Sequence, residues 1–360
     1  MTGASRIVRG ADTVHGARTI RTPRSAPNAA GVGSGVHVLL TDGATVSIRP
    51  SAPEDVEGLK ALFAGLSAQS LRMRFFASGD AAAHQAAERL CEPQPDRIAL
   101  VAVATRGEDE LIVGEGEAWR LGSDPGTAGA GSTGDESRRG RDLAETAEVA
   151  FTVAEGWRGR GIGTLLLEHL ADAARAVGVR RFVAETLAEN LAMKRVITSA
   201  GLRHSAEFEH GGTVFHDIDL TEDDAYLEVV ADREFAACAA SLYPLFRPRG
   251  VAVVGAGRAP GGVGRAILDH LVAGGFDRPL YAVNPKTDEI AGVPCARSVE
   301  LLPEHVDLAV LAVPADALVE AAIACGRHGV RALTAVTSPV PEAVSTVLKA
   351  VCRRYGMRLV

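Results

Sequence analysis

The stretch AEVAFTVAEGWRGRGIG, residues 147–163, indicates how the first half of the chain folds. Val149, Phe151 and Val153 alternate with smaller or polar residues, a pattern typical of a strand with two different faces. A glycine-containing turn follows, and the apolar spacing of TLLLEHLADAARAV (164–177) predicts a helix that the next glycine ends. The stretch therefore predicts a strand, a glycine-rich turn and a helix in direct succession.

The turn itself has the pattern R-x-x-G-x-G. A helix start offers backbone N–H groups that have no partner within the helix, and the positive end of the helix dipole lies there. These groups bind phosphate anions, and glycine lets a phosphate approach the backbone closely. We therefore predict that a pyrophosphate binds at the turn, on residues Arg158, Gly159, Arg160, Gly161, Ile162, Gly163 and Thr164.

This strand, turn and helix resemble motif A of the GNAT N-acetyltransferases, whose Q/R-x-x-G-x-G/A signature holds the pyrophosphate of acetyl-CoA. The resemblance implies acetyl-CoA as the cosubstrate, with the Val153 N–H directed at the thioester carbonyl. Glu148 matches the glutamate of A-E-V-A-F in the resembling enzymes and is the first candidate for the general base, acting directly or through one water. Glu117, in EGEAWR on the preceding predicted strand, is the alternative base.

Two further segments resemble parts of this family. LSAQSLRMRFF (66–76) is similar to the L-S-x-x-S-x-x-x-R-F-F element of bacterial protein acetyltransferases that are fused to a synthetase-like region, which implies a protein substrate with an acceptor lysine. Asn190 and Gly201 fall at the spacing of motif B, so Asn190 is assigned to the cosubstrate site. Ile197 stands where the family often has a tyrosine that acts as general acid, so water would protonate the leaving thiolate.

Composition excludes several classes of protein. A chain of 360 residues is long enough for about two domains, and 47% hydrophobic residues suit a globular protein. No apolar run reaches the roughly 20 residues that cross a bilayer, and a net charge of -7 argues against a nucleic-acid partner. The five cysteines are odd in number and lack C-x-x-C, so we expect neither disulfides nor a zinc site, and a cytoplasmic protein.

Breaks in the pattern divide the chain. Residues 122–143 are rich in Gly, Ser and charged side chains, and predict a mobile loop within the sheet. Thr221 predicts the N-cap of a helix that runs to about Ala240 and leads into a proline-containing linker. The predicted layout is a disordered tail (1–36), a GNAT domain (37–220), a helical linker (221–248) and a second domain (249–360).

In the second domain, continuous apolar segments at 251–255, 280–285, 307–314 and 332–338 alternate with helical patterns, which predicts a doubly wound parallel sheet. A glycine turn, GAGRAPGGVG, precedes the first of these helices. The second strand ends in Asn-Pro, where an NAD site would offer Asp or Glu to the ribose, so NAD is disfavoured. The candidate ligand residues of this domain are Gly255, Gly257, Gly261, Gly264, Asn284 and Pro285.

This second region resembles the CoA-binding domain of NDP-forming acyl-CoA synthetases, through PLFRPRGVAVVGAG, PGGVG, YAVNPK and VDLAVLAVPA. The resemblance implies that it binds a second CoA or another phosphorylated ligand. No metal site is expected, because His204, His210 and His216 lie six residues apart around a Gly-Gly turn, a spacing that matches no known ligand geometry.

The sequence thus predicts an α/β protein of two domains, a GNAT mixed α+β sheet followed by a Rossmann-like doubly wound parallel sheet. The leading hypothesis is an acetyl-CoA-dependent N-acetyltransferase that acts on protein lysines, with the second domain as a ligand sensor. Two alternatives remain open. One is a non-catalytic acyl-CoA-binding sensor, and the other is an incomplete acyl-CoA synthetase subunit that requires a partner chain.

Overall fold

The computed structural model describes residues 35–76, 80–121, 143–209, 211–302 and 305–360. Within these residues two sheets, each with its own helices, are joined by one long helix. The predicted disordered tail lies outside the described residues up to position 34, as does the predicted mobile loop up to position 142. His210 also lies outside them.

The first sheet is antiparallel except at one pair of strands. Its strands are β1 (Val36–Leu39), β2 (Thr45–Pro50), β3 (Arg97–Arg106), β4 (Asp109–Arg120), β5 (Thr146–Val153), β6 (Arg181–Leu187), β7 (His204–Phe208) and β8 (Thr213–Asp219). They lie in the order β1-β2-β3-β4-β5-β6-β8-β7. Only β5 and β6 run parallel. This mixed sheet with flanking helices is the predicted α+β fold.

Helices cover both faces of this sheet. One face packs against α1 (Val56–Ala64), α2 (Ala68–Phe75) and α3 (Asp80–Cys91), and a core forms between these helices and strand β3. The other face packs against α4 (Ile162–Ala176), with α5 (Leu191–Ala200) beside it. Helix α3 was not predicted from the sequence.

Helix α4 begins two residues earlier than predicted, so Ile162 and Gly163 are part of the helix. Its buried stripe includes Leu166, Leu167 and Leu170, all with 0% exposure. Burying a leucine side chain of this kind stabilises the folded state by about 1.5–3 kcal/mol. The helix start is therefore fixed against the sheet by the residues that follow it.

The joining helix α6 (Asp224–Phe246) corrects two predictions. Its N-cap is Asp223, whose carboxylate accepts the N–H of Tyr226 at 2.9 Å, because the hydroxyl of Thr221 instead donates to Asp219. The helix also continues past Ala240 through the segment predicted as a linker, and it includes Pro244 near its end. Pro244 is buried, and the packing of this face stabilises helix where the local sequence predicts a break.

The second sheet is the predicted parallel sheet with one added hairpin. Its strands are β9 (Val251–Val254), β10 (Leu280–Val283), β11 (Glu289–Ile290), β12 (Val293–Ala296), β13 (Leu308–Leu311), β14 (Ala332–Ala335) and β15 (Arg358–Leu359). They lie in the order β11-β12-β10-β9-β13-β14-β15, and all neighbours except β11 and β12 are parallel. The connecting helices are α7 (Val263–Ala273), α8 (Leu318–His328) and α9 (Glu342–Arg354).

Three general properties bear on function. None of the described helices is both long and apolar enough to cross a membrane. All five cysteines are free thiols. Across the described ranges, no three His, Cys, Asp or Glu side chains are grouped so that they could hold a metal ion.

Candidate functional site

The turn before α4 has the geometry of an anion-binding helix start. Gly161 is the N-cap, with φ of 90° in the left-handed region that favours glycine, and it has no side chain with which to cap the helix. The first intrahelical donor is Leu165, whose N–H bonds to the carbonyl of Gly161 at 3.0 Å. The N–H groups of Ile162, Gly163 and Thr164 therefore precede the helical hydrogen-bond ladder. These are three of the residues on which the pyrophosphate is predicted to bind.

Gly163 of the motif and Gly159, which occupies one of its x positions, have different structural roles. A Cβ on Gly163 would lie 3.0 Å from Val196 Cγ2, so this glycine permits the close approach of α4 and α5. Gly159 has φ of 73°, and no atom of the described residues outside its chain neighbours lies within 4 Å of a would-be Cβ. The open space above the turn is therefore at Gly159, whereas Gly163 is needed for packing between helices.

Side chains from α2 hold the segment that leads into the turn. Arg158 donates from Nη2 to Ser70 Oγ at 2.9 Å, and Ser70 Oγ donates to Glu155 Oε1 at 2.9 Å. Glu155 Oε1 also accepts the N–H of Ser67 at 2.9 Å. Hydrogen bonds from Ser67 and Ser70, together with the charge of Arg158, lower the pKa of Glu155 to about 2. This segment is thus fixed by an ionised carboxylate.

Strands β5 and β6 separate beside this turn. They pair only at Thr146–Glu148 with Arg181–Val183, although β5 continues to Val153 and β6 to Leu187. Beyond Glu148 the two strands therefore leave an opening between them. The N–H of Ala154 donates to Val113 of β4, so strand alternation directs the N–H of Val153 toward the opening. Val153 is the residue whose N–H is predicted to be directed at the thioester carbonyl.

Glu148 lies at the point where the strands begin to separate. Its side chain is exposed to solvent, and its neighbours on the same face of the sheet include Glu117 and Glu185. Partial burial of the carboxyl group raises the pKa of Glu148, and the negative charges of Glu117 and Glu185 raise it further. A carboxylate with a raised pKa that substrate can reach has the properties of a general base.

Glu117, the alternative base, is held very differently. Its Oε1 accepts hydrogen bonds from Arg74 Nη2 at 2.8 Å and Arg89 Nη2 at 3.2 Å, and the side chain is nearly buried. Burial alone would raise the pKa of Glu117, but Arg74, Arg89 and Arg97 outweigh it and the pKa lies below the ordinary value. A carboxylate stabilised in its ionised form is a weak proton acceptor.

Arg74 is a residue whose importance the sequence reasoning missed. Its Nε donates to Glu115 Oε1 at 3.0 Å while its Nη2 binds Glu117, so one buried guanidinium joins two buried carboxylates. The signal was present, since Arg74 and the serines Ser67 and Ser70 are the polar letters of L-S-x-x-S-x-x-x-R-F-F. Together these residues fix α2 between the phosphate turn and the carboxylates of β4.

The motif B residues serve the fold of α5. The side chain of Asn190 caps the helix by accepting the N–H of Met193 at 3.1 Å, and Gly201 ends it in the left-handed conformation. Ile197 has 0% exposure and lies in the main core. It therefore contributes packing and has no proton to offer a leaving thiolate.

In the second domain, the glycines of the turn before α7 fall into two groups. A Cβ on Gly255, where φ is 89°, would lie 2.5 Å from the carbonyl oxygen of Ala312, and one on Gly264 would lie 2.9 Å from Ala256 Cα. For Gly257 and Gly261, the part of the chain that the structure describes places no atom beyond their chain neighbours within 4 Å of a would-be Cβ. The first pair is required by packing, and the second pair faces open space where a ligand would lie.

Asn284 completes the same turn from β10. Its Nδ2 donates to the carbonyl of Ala256 at 2.7 Å, and its Oδ1 accepts the N–H of Lys286 at 2.9 Å. Pro285 is exposed beside it. Asn284 thus fixes the shape of the glycine turn, and no carboxylate occupies the position where a nicotinamide dinucleotide site offers one.

The molecule thus has two domains, each with a glycine turn that leads into a helix. In the first domain that turn lies beside two strands that separate, and in the second it follows a strand of a parallel sheet. Residues 71–202 match the family model described as Acetyltransferase (GNAT) family, and residues 249–360 match the one described as CoA binding domain. The chain therefore contains a GNAT acetyltransferase domain, to which a CoA-binding domain is fused.

Individual relatives match part of the chain. The ADP-forming acetate–CoA ligase I of Archaeoglobus fulgidus is 41% identical over 122 residues, which cover 32% of this chain and 18% of the ligase. Acetyltransferase Pat of Mycolicibacterium smegmatis is 47% identical over 58 residues, which cover 16% of this chain and 17% of Pat. The crystal structure of the GNAT domain of S. lividans PAT is 33% identical and covers 51% of this chain and 96% of that domain, with a TM-score of 0.42. The chain thus matches less than a fifth of the length of each of these two curated relatives.

Proposed function

We propose that the protein is an acetyl-CoA-dependent N-acetyltransferase whose acceptor is a lysine of another protein. The observation that carries this proposal is the opening between β5 and β6, with the uncapped start of α4 at one end and Glu148 at the other. The pyrophosphate of acetyl-CoA would lie on the N–H groups that follow Gly161. The thioester would then extend between the two strands toward Glu148.

The residues of the opening have different roles in this reaction. A lysine ammonium must lose a proton before it can attack, and Glu148 accepts that proton directly or through one water. The amine nitrogen then forms a bond to the thioester carbonyl carbon, and the N–H of Val153 donates to the oxygen on which negative charge develops. When the carbon–sulfur bond breaks, the acetyl group remains on the lysine nitrogen, which loses its second proton to water as the amide forms.

The leaving group requires no protein acid. Ile197 offers no proton, but a thiol has a pKa of about 8.5, so coenzyme A departs as a thiolate that water can protonate. Absence of a side-chain acid at this position is therefore compatible with turnover. It is also the feature that favours the rival reading of a non-catalytic acyl-CoA-binding sensor.

Charge on the acceptor side supports a cationic substrate. Glu148 and Glu185 are exposed on the same face of the sheet, and both carry negative charge when ionised. Coulombic attraction concentrates an ammonium group there. The similarity to Acetyltransferase Pat of M. smegmatis supports a protein lysine as the source of that ammonium.

The second domain would bind CoA or another phosphorylated ligand and report it to the transferase. The open space at Gly257 and Gly261 supports a ligand at this turn, and the similarity to ADP-forming acetate–CoA ligases supports CoA. The same similarity favours the other rival, a synthetase subunit that works with a partner chain. That rival requires acyl-CoA formation from a carboxylic acid and a nucleotide, whereas an acetyltransferase consumes acetyl-CoA.

Incubation of the full chain with labelled acetyl-CoA and a cell extract tests the transferase directly. We expect label on lysine side chains of one or more extract proteins. Label that stays on acetyl-CoA, with acetyl-CoA still bound to the protein, would favour the sensor. Acyl-CoA formation only on addition of a partner chain would favour the synthetase subunit.

The base is tested with Glu148→Gln, which keeps the shape of the side chain and removes proton acceptance. We expect the rate to fall by about two to four orders of magnitude while acetyl-CoA affinity changes little. Glu185→Gln is the matched control, since it removes a neighbouring carboxylate and should change the rate by about threefold at most. If Glu148→Gln retains full activity, the base is not Glu148, and Glu117 becomes the candidate.

A further inference from the structure

The tip of the hairpin between β1 and β2 lies against the phosphate turn of the first domain. The N–H of Thr41 donates to the carbonyl of Arg160 at 3.1 Å, and Arg160 Nε donates to Asp42 Oδ2 at 2.7 Å. A Cβ on Gly161 would lie 3.2 Å from Thr41 Cγ2. The hairpin tip therefore holds both the backbone and the side chain of the residue that precedes the N-cap of α4.

The second domain holds the same hairpin tip from its other side. Arg331, the residue before β14, donates from Nη2 to the carbonyl oxygen of Asp42 at 2.9 Å. Gly43 has φ of 77°, and a Cβ there would lie 2.4 Å from the backbone nitrogen of Ser241 in α6. Only glycine fits this position, so the hairpin tip is seated between the phosphate turn, α6 and the second domain.

Two charged contacts thus meet on one residue. The carboxylate of Asp42 binds the guanidinium of Arg160, which also lies 4.3 Å from the Trp157 ring. The carbonyl of Asp42 binds the guanidinium of Arg331. A displacement of Asp42 would therefore weaken its contact with Arg160 and loosen the turn on which the pyrophosphate is predicted to bind.

We propose that the second domain braces the acetyl-CoA pyrophosphate turn through Asp42, and that Arg331 is a positioning residue for the cosubstrate site. The inference rests on the proposed function, since it assumes that the turn binds acetyl-CoA. The brace acts by preorganisation, because a turn already held in its binding geometry loses less conformational entropy when the pyrophosphate binds. Arg331 itself does not touch the cosubstrate.

The test uses the full chain and acetyl-CoA as the probe. Isothermal calorimetry measures acetyl-CoA affinity, and the site at the phosphate turn is identified as the binding that Gly161→Asp removes. Hydrogen exchange of the backbone amides of residues 158–165 reports how firmly the turn is held. These amides lie far along the chain from Arg331, so they change only if the contact through Asp42 matters.

Arg331→Ala removes the brace, and Arg327→Ala is the matched control. Arg327 belongs to the same domain and forms an ion pair across the domain interface with Glu108, on the turn between β3 and β4 rather than on the hairpin tip. For Arg331→Ala we expect acetyl-CoA to bind about threefold to tenfold more weakly and the amides of 158–165 to exchange faster. Arg331→Lys should restore part of the affinity, and Arg327→Ala should leave it within about twofold.

The outcomes separate a failure of the proposed function from a failure of the brace alone. If Gly161→Asp binds acetyl-CoA as well as the native chain does, the proposed function fails and the brace fails with it. If that site exists but Arg331→Ala matches the native chain in affinity and exchange, the brace alone is overturned. Equal weakening by Arg331→Ala and Arg327→Ala would also overturn it, because the effect would then belong to the interface in general.

Discussion

The two glycine turns of the molecule look alike in sequence and differ in how they are held. The turn before α4 has its N-cap, Gly161, in the left-handed region and is fixed by hydrogen bonds through Arg158 and Arg160. The turn before α7 has open space at Gly257 and Gly261. Each turn therefore has glycines that leave open space and glycines that packing requires, and the two turns differ in the side chains that hold them, since Asn284 holds the second.

The comparison shows that a glycine pattern alone does not separate ligand contact from packing. Gly163 belongs to the R-x-x-G-x-G motif, but its missing Cβ makes room for Val196 of α5. Gly255 belongs to the second turn, but its missing Cβ makes room for the carbonyl of Ala312. A substitution at either position would disturb the fold first and the ligand second.

The largest effect that would separate the two turns is expected from Gly161→Asp. A carboxylate and a Cβ would face the pyrophosphate, and a residue other than glycine is strained at a φ of 90°, so acetyl-CoA affinity at the transferase site should fall by more than about 100-fold. Gly257→Asp is the matched change in the other turn and should leave that site intact. Calorimetry on the full chain measures both, and unchanged affinity in Gly161→Asp would refute the assignment of the turn.

A stability measurement separates packing glycines from open ones within the second domain. Gly255→Ala places a Cβ 2.5 Å from a backbone carbonyl at positive φ, so we expect a loss of about 2–4 kcal/mol in the free energy of unfolding. Gly257→Ala, with no atom within 4 Å, should change it by less than about 0.5 kcal/mol. Denaturant unfolding of residues 246–360 gives both values. Similar losses in the two variants would contradict the division of these glycines.

The pH dependence of kcat/KM separates proton transfer to Glu148 from acetyl-CoA binding at the turn before α4. Because Glu148 must be ionised to accept a proton, kcat/KM should fall about tenfold per pH unit on the acid side of its pKa, and burial raises that pKa above the ordinary value of a glutamate. Removing the negative charge of Glu185 with Glu185→Gln should move this limb to lower pH. Acetyl-CoA affinity should not follow the limb, since the pyrophosphate turn does not include Glu148. A limb that stays in Glu148→Gln would assign it to another group.

The smallest effect concerns the ligand of the second turn. Asn284 holds the glycine turn by hydrogen bonds and offers no carboxylate to a ribose, so residues 246–360 should bind CoA at least about tenfold more tightly than NAD. Titration with each ligand measures the ratio. Tighter binding of NAD, or no binding of CoA at millimolar concentration, would make this domain a structural remnant rather than a sensor. Removal of the second domain would then change neither the transferase rate nor the dependence of that rate on CoA.

Local pattern predicted much of the first fold. The alternation at Val149, Phe151 and Val153 indicated β5, and the apolar spacing after residue 164 indicated α4, because both signals lie within one segment. Helix α3 was missed because its buried face is built largely from Ala83, Ala86 and Ala87. Alanine provides little contrast in hydrophobicity, so the packed face of this helix left a weak pattern in the sequence.

The candidate site was predicted less completely than the fold. Glu148 and Glu117 were both named, but what distinguishes their pKa values is Arg74, which is 43 positions from Glu117 along the chain. Nothing in the local sequence distinguishes Arg74 from an arginine whose side chain is solvated. Pairings of this kind depend on how a helix packs against a distant strand, and no periodicity encodes them. The contact of Arg331 with Asp42, 289 positions apart, was inaccessible for the same reason.

The length of helix α6 determines both the distance between the two domains and their relative rotation about the helix axis. Its 23 residues span about 35 Å, and each residue adds a rise of about 1.5 Å and a rotation of about 100°. One inserted residue in the middle of α6 would therefore turn everything beyond it by more than a quarter of a circle, which carries Arg331 away from Asp42. Seven inserted residues would nearly restore the direction but would add about 10 Å of separation. The number of residues in this helix, more than their identity, thus determines whether the second domain reaches the hairpin tip.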